Sequence, residues 1–199
     1  MSENRPGGIR RFGSVDTVKL VYLAVFTALV AVLQIVSNVT QAVMPVPITL
    51  TLVPIVMACA LCDKWSGAWL GFVFAFVVLV SGASEPFFTL TPFGTIVIVI
   101  VKGGAAGLVA GLVYALFEKR NRYVAIIAAG ATAPIVNTGI FLVGAFVFFR
   151  DLILEWAGGE AIFTFVITGL VGINFLIELG VNMILAPVIL RLINIKKTN

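Results

Sequence analysis

Apolar runs recur along the chain at roughly the length of a membrane helix, and polar residues gather in the short intervals between them. A hydrocarbon core about 30 Å thick takes about 20 residues of helix. Six runs meet or approach that length: Val18 to Ser37, Ile48 to Cys62, Ser66 to Ala83, Phe93 to Phe117, Tyr123 to Phe149 and Ala161 to Ile193. The second is short and holds Pro54, and the segment before it, Asn38 to Pro47, carries prolines that rule out regular helix throughout. The loop Ser84 to Pro92 is compact and holds two prolines. The pattern predicts an all-α integral membrane protein: a single six-transmembrane-helix bundle over residues 18–193, between an N-terminal tail, 1–17, and a C-terminal tail, 194–199.

Composition agrees with the pattern. Of 199 residues 61% are apolar and 11% charged, whereas soluble domains have about 45–50% and about 25%. A soluble fold is excluded. So is a nucleic-acid binder, because the 13 Lys and Arg flank the apolar runs and form no single basic face. Lys and Arg in short loops stay in the cytoplasm. With the N-terminus inside, 11 of the 13 basic residues fall on inner segments, and the outer loops hold Glu85, Asp151, Glu155 and Glu160 against Arg150 alone. Both termini are therefore expected in the cytoplasm. Residues 1–16 are polar, rich in Gly and Arg, and lack the marks of a secretory signal, so the first run reads as a retained helix.

The candidate chemistry is sparse. The chain has no His, which removes the usual residue of zinc, haem and acid–base sites. Cys59 and Cys62 form a C-x-x-C inside an apolar run with no second pair, the mark of small packing residues more than of redox or metal chemistry. No clustered Asp/Glu and no Ser or Cys beside a base is present, so neither catalysis nor a cofactor is expected.

Two charges stand well inside the apolar runs, Lys102 in the fourth and Glu178 in the sixth. Each costs about 2.5 to 3.5 kcal/mol in hydrocarbon, so each should turn inward to a partner. Asn174, Glu178 and Asn182 repeat at i, i+4, i+8, one stripe of a helix. Asn137 and Thr138 lie near the middle of the fifth run, and Gln34 and Asn38 near the outer end of the first. At about 1.5 Å per residue from the outer ends, Lys102, Asn137 and Asn174 lie about 13, 18 and 20 Å deep and Glu178 about 25 Å. These depths suit a pocket open to the outside, with Glu178 at or below its floor. The alternative is mutual satisfaction, as interhelical hydrogen bonds or a Lys102–Glu178 ion pair; it weighs more for Glu178 and Asn182 than for Lys102 and Asn174. Phe87, Phe88 and Phe93 on one loop and Val43, Met44 and Pro45 on another could cover such a pocket, although interfacial anchoring also explains exposed aromatics. Gly103, Gly107 and Gly111 form a G-x-x-x-G-x-x-x-G expected to pack helices within the chain.

The chain resembles the S components, the substrate-binding membrane subunits of energy-coupling factor (ECF) vitamin transporters. The likeness rests on size, six spans, a proline-containing segment after the first span, Lys102-Gly103-Gly104 early in the fourth, the stretch Ala24-Val25-Phe26-Thr27-Ala28, and the run from Pro134 to Gly139. It implies a bundle in a prokaryotic plasma membrane that binds a vitamin or related micronutrient near the outer face; the depths and loops above then make Lys102, Asn137, Asn174, Glu178, Phe88 and Met44 the expected contacts. It also implies a separate transmembrane coupling subunit, carried by two ATPases, that docks on the alanine motif: Ala24 and Ala28, with Ala31 one position short of the next repeat. The chain itself has no phosphate-binding G-x-x-x-x-G-K-[ST]. The family's substrates are diverse; a lysine with amides suits a small anionic or strongly hydrogen-bonding solute, such as pantothenate or riboflavin. A stand-alone secondary transporter using Glu178 as a coupling carboxylate is the alternative.

Overall fold

The computed structural model describes residues 17–39, 50–159 and 161–198, and all regular structure among them is helical. In chain order the elements are α1 (Thr17–Asn38), α2 (Leu52–Leu61), α3 (Lys64–Val80), α4 (Glu85–Phe88), α5 (Pro92–Phe117), α6 (Arg122–Phe148), α7 (Arg150–Ala157), α8 (Ile162–Thr164), a π-helical stretch (Phe165–Gly172) and α9 (Ile173–Thr198). Four of these are long and apolar enough to cross a membrane: α1, α5, α6 and the stretch Asn174–Arg191 of α9. The apolar α2 and α3 are shorter, with 10 and 17 residues. At 1.5 Å per residue α2 covers about 15 Å, half of a hydrocarbon core. The expected second span, which began at Ile48, thus has its described helix confined to its last two-thirds, and α9 carries helix past Ile193 as far as Thr198.

The bundle is organised by the contact between α3 and α5. Gly67 and Gly71 on α3 meet Gly103 and Gly107 on α5, and Gly111 rests on the backbone of Lys64. The approach is so close that a methyl group on Gly107 would lie 2.0 Å from the Gly67 carbonyl oxygen, and one on Gly71 2.2 Å from that of Gly103. In lipid, where burial of apolar surface drives little association, such backbone proximity supplies dispersion contacts that bulkier residues would block. The glycine repeat on α5 is therefore used inside the chain. The Cys59 thiol lies against the same seam, 4.0 Å from the Gly107 carbonyl oxygen, and neither cysteine is in a disulfide.

Two apolar clusters fill the bundle. One, built on Leu52, Ile55, Leu70, Phe74, Ile126 and Ile189, joins α1, α2, α3, α5, α6 and α9. The other, built on Phe87, Ile98, Phe141, Phe149, Ile153 and Val166, sits where α4 and α7 fold over the ends of α5 and α6. Of α1, one stripe is buried, Phe26, Val30, Gln34 and Ser37, while Ala24, Val25, Ala28 and Leu29 are exposed. Its apolar window is 22% buried, against 39% for α5 and α6.

The turn between α2 and α3 is fixed by Asp63. Its extended backbone precedes α3, and its carboxylate accepts hydrogen bonds from the Ser66 amide at 2.8 Å and the Ser66 hydroxyl at 2.9 Å, satisfying a donor of the first turn. The same carboxylate pairs with Lys19 near the start of α1. Partial burial pushes the Asp63 pKa up, but the bonds from Lys19 and Ser66 outweigh that and hold it below its ordinary value of 3.8.

Two outcomes follow. Gly107→Ala should destabilise the protein by about 1–3 kcal/mol through overpacking, whereas Gly180→Ala, where an added methyl meets nothing within 4 Å, should be neutral or slightly stabilising; thermal unfolding in detergent compares them. Because the native pKa of Asp63 lies below its unfolded value, its contribution is complete above that value and is lost as pH falls through the native one. Asp63→Asn should then lower the unfolding temperature at neutral pH and remove this part of the acid sensitivity seen in a pH series.

Candidate functional site

A cavity opens at the end of the bundle where α1 and α3 terminate and α5 begins, between the two apolar clusters. Its empty space totals about 730 Å³ including the mouth.

The cavity gathers polar side chains that are far apart in sequence. Lys102 reaches it from α5, Asn137 and Thr138 from α6, Asn174 and Glu178 from α9, and Gln34 from α1. Asn137, Asn174 and Glu178 are 4%, 7% and 4% exposed, so within an apolar protein these groups converge on one small volume. The π-helical stretch ends at Gly172, two residues before Asn174. The third member of the α9 stripe, Asn182, is buried but lies outside the lining; its amide donates back to the Glu178 backbone carbonyl at 2.8 Å.

Lys102 is held by aromatic faces. Its ammonium lies 5.9 Å from the Phe74 ring centroid and 5.4 Å from that of Phe141, cation–π distances that offset part of the cost of leaving water. No carboxylate comes within 4.0 Å of it among the described residues, although Glu178 lines the same cavity and its charge acts on Lys102 electrostatically. The closed ion pair considered from sequence is thus not the arrangement found. The result is a cavity of formal net charge zero whose positive and negative groups stand apart.

Five phenylalanines complete the walls: Phe74, Phe87, Phe141, Phe149 and Phe175. Phe87 is the hub of the cover, with ring centroids 5.7 Å from Phe141, 4.8 Å from Phe149 and 5.7 Å from Trp156. Its neighbour Phe88 is 39% exposed and is not part of the lining. Met44, with Val43 and Pro45, lies outside the described residues. Ala24, Ala28 and Ala31 are not part of the lining; Ala24 and Ala28 face outward from α1, and Ala31 is half-buried. The aromatic walls had no distinct signal in sequence, because Phe is frequent along the whole chain. Gln34 did have one: it continues the buried stripe of Phe26 and Val30 at a spacing of four.

Phe87→Ala should cost about 3–5 kcal/mol, the range for removing a buried ring, while Phe88→Ala should cost under about 1 kcal/mol. Thermal unfolding of the two variants distinguishes the cover residue from its exposed neighbour.

Residues 18–190 match the model of a family described as ECF transporter, substrate-specific component. No curated protein and no solved structure matches the chain. The match covers most of the chain, and the protein belongs to this family of membrane transporter subunits.

Proposed function

We propose that this ECF substrate-specific component captures a vitamin or related micronutrient in the cavity between its two apolar clusters. It then delivers that solute by docking to a transmembrane coupling subunit driven by separate ATPases. The observation that carries this reading is the convergence of Lys102, Asn137, Asn174 and Glu178, from three helices, on a single buried cavity. In this reading six helical segments cross a prokaryotic plasma membrane with both termini in the cytoplasm, and the cavity lies toward the outer face.

The lining favours a particular kind of solute. Lys102 supplies one site for an anionic or strongly accepting group, the amides supply hydrogen bonds, and the five rings favour an apolar or planar portion. Glu178 keeps the formal charge of the cavity balanced, so the solute meets Lys102 with its acceptor end and carries donors or neutral surface elsewhere. Pantothenate, with one carboxylate, and riboflavin, with a flat ring, are the two probes that this chemistry selects.

The docking surface follows from α1. Because Ala24 and Ala28 face away from the packed stripe of the same helix, they leave a shallow strip along its exposed side. Another helix can come close there, as small residues permit. Ala31, half-buried, lies at the edge of that strip.

Mass spectrometry of the solute that co-purifies in mild detergent names the substrate. Lys102→Ala should weaken its binding by more than tenfold, given about 1.5–3 kcal/mol for a charged hydrogen bond. Ala28→Trp should abolish uptake by cells carrying the coupling module while leaving binding by the isolated subunit intact. Unchanged affinity in the first variant refutes the cavity assignment, and unchanged uptake in the second refutes the docking surface.

A further inference from the structure

Gln34, on α1, is 2% exposed and lines the cavity. Its amide takes part in a chain of hydrogen bonds that leads away from the cavity. Gln34 Nε2 donates to Asn38 Oδ1 at 3.0 Å, and Asn38 Nδ2 donates to the backbone carbonyl oxygen of Ser81 at 3.1 Å. Ser81 caps the C-terminal end of α3.

The direction of this chain is dictated by its far end. A backbone carbonyl can only accept, so Asn38 must turn its NH2 toward Ser81 and its oxygen toward Gln34. Gln34 must then answer with its own NH2. The amide orientation, which side-chain shape alone leaves ambiguous, is therefore set by a backbone atom. What remains is Gln34 Oε1, buried in the cavity wall and without a hydrogen-bond partner among the described residues. Asn137 Oδ1, on the facing helix α6, is likewise buried and without one.

We infer that Gln34 is a specificity-determining residue, whose Oε1 accepts a hydrogen bond from an N–H or O–H group of the transported solute. The site thereby selects a solute with a donor placed to face α1 in addition to the acceptor end that meets Lys102. A site built around a buried acceptor rejects an analogue that lacks the donor, because the acceptor is then left dry. Asn38 acts as a positioning residue that holds the Gln34 amide and ties it to the end of α3. From there the chain runs through Gly82, at a φ of +81°, into Ala83, Ser84 and Phe87 of the cavity lining.

This inference rests on the cavity being the solute site. The full chain, in lipid nanodiscs, is titrated with riboflavin, pantothenate, thiamine, biotin and folate, and the bound compound is compared with analogues methylated singly at each N–H or O–H. At least one methylated analogue should bind wild type tenfold or more weakly, and Gln34→Met should lose tenfold or more for the parent compound while no longer distinguishing the two. Asn38→Ala, which frees the Gln34 amide but keeps its Oε1, should weaken the parent compound less than Gln34→Met does and should still distinguish it from the methylated analogue. A Gln34→Met variant that still distinguishes the parent from the analogue would make Gln34 merely structural and overturn the inference, as would analogues that all bind wild type like the parent. That analogue series on wild type decides alone if Gln34→Met does not fold. If none of the five compounds binds wild type, the receptor reading falls and this inference with it; binding without analogue discrimination sinks only the inference.

Discussion

The close approach of α3 and α5 places the polar chemistry. With Gly67, Gly71, Gly103 and Gly107 the two backbones lie in van der Waals contact, and no side chain remains to hold them apart. Lys102 directly precedes the first of the α5 glycines, so its stem leaves the helix beside the seam, where the Phe74 ring of α3 waits under its ammonium. Were the helices at an ordinary separation, that ring would no longer face the charge. The backbone contact thus sets the geometry of the costliest group in the bundle.

Around Lys102 the protein avoids the simplest electrostatic solution. A closed ion pair with Glu178 would compensate both charges and leave little for a solute to bind. Instead the ammonium faces Phe74 and Phe141, and Glu178 acts from another wall of the cavity. Rings compensate a cation only in part, and the remainder is available as attraction for an incoming acceptor. An overall charge of zero keeps the cavity tolerable inside a hydrophobic bundle even when nothing occupies it.

Much of this was legible in the sequence, for a reason that applies residue by residue. Lys102, Glu178, Asn137 and Asn174 stand out because polar groups are expensive in hydrocarbon, and the expense forces them inward and together. The helical class and four of the long apolar helices follow from run length in the same way. What the sequence leaves open are choices between near-equal neighbours. Phe87 and Phe88 have the same chemistry, and only the orientation of the four-residue α4 turns one into the cover and the other outward. The short second run was legible as such, but composition does not say where within it the helix begins: α2 starts only at Leu52. Gln34 signalled its burial by its spacing, but its role as an acceptor depends on Ser81, 47 positions away, and no local pattern reports such a bond.

α1 is the most loosely held of the long helices, and it still contributes a cavity wall. Its inner stripe ends in Gln34 and Ser37, its outer stripe is cleared of bulk at Ala24 and Ala28, and an ion pair from Lys19 to Asp63 pins its beginning. A second tie, from Asn38 to the Ser81 carbonyl, holds its other end, so α1 is a helix fastened at both ends and lightly seated between them. Because both stripes belong to one helix, any displacement of its alanine side would carry Gln34 with it.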